Sequence, residues 1–279
     1  MWSGTLTTTE ARYTEGILQA LSRVAWAAPL LAKVNAEGGL TAGAMPVLFE
    51  ARVAYEIHRA SRQAEYEFAT GVGTSTVDFR VLGSPEWLIE TVSVRESDAV
   101  KRATIQVDKH EWQRELSTDA ADRAQSEEAE MITAQQKIAE KVYSRGLPTK
   151  FPVPNGSAYH VILTDMRGYL GAGGDRADYR HIVYGADGVR REPMLIRWWT
   201  GPDGKRAPIK GLLEPGNPLK GAAYIRERIH FLGFVEEDQF RVGAIRQQAY
   251  HLANDHFFKT DEEVARVIDS YPLRGRRKT

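Results

Sequence analysis

Between positions 76 and 94 the chain reads TVDFRVLGSPEWLIETVSV. Two runs with strand character flank the turn signal Gly83-Ser84-Pro85, and each run carries one carboxylate in an otherwise apolar setting: Asp78 in VDFRV and Glu90 in WLIETVSV. A strand points successive side chains to opposite faces. Glu90 therefore shares a face with Leu88, Val92 and Val94, whereas Thr91 and Ser93 face the other way. An acid among such neighbours is costly to bury unless it is paired or binds a cation. If the two runs form a hairpin, both acids project from one edge of a sheet. This arrangement suits a hard cation such as Mg²⁺, which takes one or two carboxylates together with water and phosphate oxygens. The competing structural explanations are that Asp78 caps the turn or pairs with Arg80 or Arg52.

The flanking sequence supplies helices. Residues 9–34 are apolar-periodic behind a run of threonines and read as one helix, kinked at Pro29; residues 46–65 form a second, with Val47, Phe49, Val53, Ile57 and Ala60 on a buried stripe. Strands follow at 66–69, 77–82 and 87–94. Residues 98–116 read as helix or as a helix holding a short strand, 117–130 as an acidic exposed stretch, and 131–145 as a helix ended by Gly146 and Pro148. The run AYHVILTD, 158–165, is nearly continuous in apolar residues and suits a central strand covered on both faces. Strands are expected at 194–200 and 230–235, and helices at 237–250 and 260–269.

This order predicts an α/β protein with a mixed central sheet flanked by helices and additional helices at both ends. The expected organisation is a helical extension over 1–45, an α/β core over 46–190, and C-terminal strands and helices over 191–279 packed on that core, or one single domain overall.

Helix, strand, Asp on a second strand, acid on a third, then helix resembles the PD-(D/E)XK, or restriction-endonuclease-like, nuclease superfamily. The matching residues are Glu50 in LFEARVAYEI, Asp78 in TVDFRV, Glu90 in LIETVSV and Gln136 in AQQKIAEKVY. The resemblance spans roughly 46–165. It implies Mg²⁺ (or Mn²⁺) held by Asp78 and Glu90 with Glu50 in support, and hydrolysis of phosphodiester bonds in DNA. The family's third strand reads acid-x-Lys, and here the lysine position is Val92. A lysine from the following helix would then replace it: Lys137 beside Gln136 is the first choice, Lys141 the second and Lys101 a weaker third. The alternative is a catalytically inactive member of the same fold that binds nucleic acid or a protein partner.

Composition narrows the partners. Lys plus Arg and Asp plus Glu number 37 each, so a strongly basic coat is excluded and DNA contacts would come from local groups such as Arg52, Arg59, Arg62 and the basic tail 274–278. With no cysteine, disulfides, thiolate metal sites and cysteine nucleophiles are excluded. No apolar run approaches the ~18 residues of a membrane span. The start of the chain lacks a basic region followed by an apolar stretch, so a cytoplasmic protein without membrane contact is expected. The seven histidines lack zinc spacing. The segment GYLGAGGD lacks the Gly-Lys-Ser/Thr ending of a phosphate loop, and no G-x-S-x-G elbow is present. Aromatic residues in the last third without an evident core partner suggest a homodimer. Trp198 and Trp199 beside Arg197 could stack on a base, although a core or interface role is the simpler reading.

Overall fold

The computed structural model describes residues 8–95, 104–106, 112–114, 127–169, 173–200, 204–235, 245 and 249–273. Its centre is a six-stranded sheet of order β1 (Ala64–Ala69), β2 (Thr76–Val81), β3 (Glu86–Ser93), β8 (Ala158–Asp165), β11 (Phe231–Val235) and β12 (Ala249–Ala253). The sheet is mixed. β1, β2 and β3 are antiparallel neighbours, β3–β8 and β8–β11 are parallel, and β12 closes the edge antiparallel to β11. Small two-stranded pairs lie outside it: β4 (Thr104–Gln106) with β5 (Trp112–Arg114), β6 (Tyr143–Ser144) with β7 (Leu147–Pro148), and β9 (Trp198–Thr200) with β10 (Arg206–Pro208).

Two apolar clusters sandwich the sheet. Helices α1 (Thr8–Leu21), α2 (Ala28–Ala36) and α3 (Met45–Arg59) cover one face, where Leu21, Leu30, Phe49 and Ile57 meet Phe79, Trp87, Ile89, Val161 and Leu163. Helices α4 (Glu127–Ala139), α5 (Arg176–Tyr184) and α6 (Lys220–Arg228) cover the other, where Met131, Ile138, Ile182 and Ile225 meet Leu88, Val92, Ile162 and Leu232. Helix α7 (Asp261–Asp269) returns to the first face through Val264, Val267 and Ile268. Its N-terminus carries a capping box between Thr260 and Glu263. The odd and even positions of β3 divide between the two clusters, as strand alternation requires.

The expected α/β class and flanked mixed sheet are present; several boundaries differ. The stretch 9–34 is two helices, because the chain runs extended at Val24 and Pro29 opens α2 instead of kinking a longer helix. Helix α3 stops at Arg59, and Ser61 then takes a left-handed turn (φ 55°) into β1. The helix expected over 131–145 ends at Ala139, since Arg145 and Gly146 both have positive φ and close a two-residue hairpin between β6 and β7. Of 194–200, only Trp198–Thr200 is strand, preceded by a short 3₁₀ turn at Pro193–Leu195. Ala249 and Tyr250, expected to end a helix, belong to β12, and 236–244 and 246–248 lie outside the described residues. Lys101, most of 98–126 and the tail 274–279 also lie outside them. Strands β11 and β12 are part of the central sheet itself, so the core is not confined to 46–190.

Aromatic residues of the last third find core partners, whereas Trp198 stays 41 % exposed. Tyr271 packs edge-on against Trp87, Phe258 against Phe231, and Tyr179 stacks on Phe234. The argument for a homodimer built on them falls away. Among the described residues no helix is long and apolar enough to cross a membrane.

Ile89 lies fully buried at the centre of the first cluster. Ile89→Ala is expected to cost about 2–5 kcal/mol through lost contacts and the cavity left behind, whereas Leu147→Ala, at a largely exposed position, should stay within about 0.5 kcal/mol. Urea unfolding with unchanged m-values checks both.

Candidate functional site

The site forms where two strands part. Paired residues between β2 and β3 run from Val81–Trp87 through Arg80–Leu88 to Phe79–Ile89 and stop there. Beyond that point β2 stays with β1 and β3 continues along β8 to Ser93–Asp165. The β1–β2 ribbon also changes face here: Tyr66 and Phe79 pack in the first cluster, Phe68 and Val77 in the second. Glu67, between Tyr66 and Phe68, has a φ of 53°, a conformation uncommon outside glycine and one that clusters at functional sites.

Asp78 and Glu90 occupy the opening, and their side chains replace the lost ladder. The Asp78 backbone N–H donates to Glu90 Oε2 at 3.3 Å. The Thr91 N–H and hydroxyl donate to Asp78 Oδ2 at 2.7 and 2.6 Å. Asp78 Oδ1 accepts no hydrogen bond among the described residues. Asp78 is thus paired with neither Arg80 nor Arg52: Arg80 forms a bidentate bridge to Glu86, and Arg52 is buried near Arg167, Asp165 and Glu10.

Glu90 is 0 % exposed, which would be prohibitive for a lone carboxylate. Two ammonium groups compensate it at one oxygen: Lys141 Nζ lies 2.7 Å and Lys150 Nζ 2.9 Å from Oε1. Even so, burial and the charge of Asp78 push the Glu90 carboxyl up to about 7, against the pull of the two lysines. For Lys141, burial alone would lower the ammonium's pKa. The Glu90, Asp78 and Glu50 charges outweigh that effect and hold it above the usual lysine value.

Lys141 follows the end of α4, so it does not share a helical face with Lys137. The structure brings Lys141, not the first-choice Lys137, to the carboxylates; Gln136 is exposed and Lys137 half-buried on α4, and neither is bonded to Glu90 or Asp78. Val92 packs in the second apolar cluster. The positive charge absent from that strand position therefore arrives from the turn after the helix and from Lys150.

Lys150 carried no recognisable sequence signal. Its backbone is left-handed (φ 63°), its carbonyl accepts from the Thr70 hydroxyl, and its ammonium also donates to Thr76 O at 2.8 Å. Sequence reasoning also missed Lys33, Tyr66 and Thr91. Lys33 Nζ reaches both oxygens of Glu50, at 3.3 and 3.2 Å, and Tyr66 donates its hydroxyl to Glu50 Oε2. Burial and Asp78 raise the pKa of Glu50, against those partners.

Glu50 does not converge with Asp78 and Glu90 on one point. Among the described residues no group of three His, Cys, Asp or Glu side chains could hold a metal ion. Glu50 is instead an electrostatic neighbour of Asp78, and the carboxylates available to a cation are two.

The remaining candidates serve the scaffold. Asp165 and Arg167 pair at 3.2 Å, and Arg167 reaches Glu10 in α1 at 3.2 Å. In the glycine-rich segment, Asp175 caps α5 through Ala177 and Asp178, and a Cβ on Gly174 would lie 2.7 Å from the Tyr169 ring. Trp199 packs on the second cluster, and Arg197 pairs with Glu127.

Without a divalent ion, Glu90 makes folding pH-dependent. Its folded pKa is raised, so its contribution is most favourable below about 4.5 and is lost as pH rises to about 7. In chelator, the stability of the parent relative to Glu90→Gln should fall by on the order of a few kcal/mol between pH 5 and pH 8. Urea unfolding of both proteins measures this, and parallel pH profiles would contradict the burial of an ionising Glu90.

Comparisons of the chain with protein-family models, with curated proteins and with solved structures found no match.

Proposed function

We propose that the chain is a divalent-metal-dependent nuclease of restriction-endonuclease-like architecture that hydrolyses phosphodiester bonds in DNA. The observation that carries this reading is the pair of buried carboxylates, Asp78 and Glu90, placed where β2 leaves β3, with the Lys141 ammonium 2.7 Å from Glu90. The succession α3, β1–β2–β3, α4 and then β8 parallel to β3, with the small β4–β5 and β6–β7 pairs between, supports the reading, because it is the order of helix, strands, acids and helix on which the resemblance rests.

Two carboxylates fit the oxygen requirement of Mg²⁺ or Mn²⁺, which completes its shell with water and phosphate. Asp78 and Glu90 would hold the ion, Asp78 through Oδ1, which accepts no hydrogen bond among the described residues. The chemistry supplied by a bound ion is polarisation of the phosphoryl group and acidification of the attacking water.

The protein's own groups do the rest. Thr91 fixes Asp78 with two hydrogen bonds. Lys141, fully charged at neutral pH, sets a positive charge where the phosphorus centre gathers negative charge. Water attacks phosphorus as the bond to the leaving oxygen breaks; the Lys141 ammonium is placed to donate a proton to that oxygen, the proton lost by the attacking water passes to solvent, and Lys141 is reprotonated from solvent. Lys150, tied to Thr76, keeps Glu90 compensated. Arg52, being buried, is not a phosphate contact; Arg59 and Arg62 are exposed.

A second reading, an inactive DNA-binding member of the same architecture, draws on one observation: Glu90 Oε1 already receives two lysines and Oε2 an N–H. Cleavage of single- and double-stranded DNA in Mn²⁺ separates the two. Asp78→Asn should lower the rate at least ~10²-fold. Lys141→Met should lower it ~10- to 100-fold, while Lys137→Met should match the parent. DNA binding by the parent without any metal-dependent cleavage would favour the inactive reading, and cleavage surviving Asp78→Asn would move the site elsewhere.

A further inference from the structure

On the face of β3 that carries Glu86, Leu88 and Glu90 lies a cleft of about 180 Å³. Its floor comes from register neighbours on two strands, Glu86 beside Ala158 and Leu88 beside His160. Leu88 precedes Glu90 by two residues on the same side of β3, a separation of about 7 Å. Thr70 lines the cleft too, and its hydroxyl holds the carbonyl of Lys150, whose ammonium reaches Glu90. Thr70 thus connects the cleft to Glu90 through Lys150.

The chemistry of the cleft is that of a neutral, flat guest. Its charged lining residues, Arg80 and Glu86, neutralise each other in a bidentate bridge at 3.0 and 2.7 Å. The Arg80 guanidinium lies over the Phe68 ring, 4.7 Å from its centroid, so two flat groups contribute to this wall. No unspent positive charge remains there for a phosphate.

Polar capacity comes from two groups. The Asn155 carbonyl oxygen accepts from the Ser157 N–H and hydroxyl, which leaves the amide N–H groups as donors. His160 Nδ1 lies 2.7 Å from the Arg228 carbonyl, an acceptor only, so Nδ1 carries the proton and Nε2 is an acceptor. Burial lowers this imidazole to about 4, which keeps it neutral at pH 7. The volume is below the ~300 Å³ at which pockets for drug-sized ligands begin, and it suits a single ring system.

We infer that this cleft is a nucleobase-binding site, which seats one unstacked base of a strand whose neighbouring phosphate lies at Asp78 and Glu90. The choice of a nucleobase over another flat heterocycle rests on the nuclease reading above. An enzyme acting beside such a pocket takes substrate with a base out of the stack and is favoured by single-stranded or mismatched segments.

The test uses the whole protein in chelator, titrated by calorimetry with deoxynucleoside 5′-monophosphates and, as control, with 2-deoxyribose 5-phosphate. At least one nucleotide should bind saturably with Kd near the millimolar range, and the base-free sugar phosphate at least ten-fold more weakly. Ser157→Trp, which fills the cleft from an exposed loop, should weaken nucleotide binding at least ten-fold; Asn155→Ala, a milder change, should weaken it measurably. Equal binding of nucleotide and sugar phosphate, no saturable nucleotide binding, or parent-like binding by both variants would overturn the inference. Cleavage of DNA in Mn²⁺ is followed in parallel. Base-dependent binding without cleavage supports the cleft and sinks the nuclease reading, whereas cleavage without base-dependent binding sinks the cleft alone.

Discussion

The burial of Glu90 is the constraint around which this part of the molecule is arranged. A carboxylate withdrawn from water must be compensated within the protein, and the compensation here is distributed over distant parts of the chain. Lys141 comes from the turn after α4, Lys150 from the segment before β8, and an N–H from Asp78 on the neighbouring strand. Each contribution in turn demands something local. Lys150 holds a left-handed backbone and is tied by Thr70 and Thr76. Asp78 is turned toward Thr91, which ends its pairing with β3. Around Glu50 a second compensated carboxylate, with Lys33 and Tyr66, lies close enough for its charge to act on Asp78. Asp78, Glu90 and Glu50 are thus each answered from within the protein, yet burial and their mutual repulsion still raise the pKa of Glu90 and Glu50 above the usual carboxylate value.

How much of this could be read in advance depended on the range of the interactions. The strands at 76–94, the central strand at 158–165 and the helix α3 follow from local alternation and periodicity, and the structure contains them. The placement of Glu90 on the face of Leu88, Val92 and Val94 likewise needs only the two-residue repeat: those three neighbours all fall in one apolar cluster. The end of α4 is not legible in this way: amphipathic sequence continues to Arg145, but the helix stops at Ala139 and the positive-φ pair Arg145-Gly146 makes a hairpin. The same boundary decides the lysine: the place beside Gln136 favours Lys137 over Lys141 on one helix, but the helix ends between them and the turn brings Lys141 inward.

The partners of the acids were the least legible part. Lys33 precedes Glu50 by 17 residues, and Lys150 follows Glu90 by 60; neither separation has a period. A lysine in a polar loop has no sequence mark that tells a solvated side chain from one folded inward. Asp78 and Glu90 were detectable because a charge in an apolar strand is anomalous, whereas the residues that relieve the anomaly sit where charges are ordinary. Arg52 is the converse case: it looked like a surface cation on a helix and is buried against Asp165 and Glu10.

Arg167 links the first helix to the strand core. Its guanidinium, itself buried, spans Asp165 at the end of β8 and Glu10 in α1, the latter 157 positions before Arg167 along the chain. During synthesis the amphipathic α1 is complete long before its electrostatic partner exists. Such a long-range contact closes late and slows folding, and domains assemble as units when their last essential segment appears. The ion pair that fastens α1 to the sheet can therefore form only once the chain has been made through β8 and Arg167.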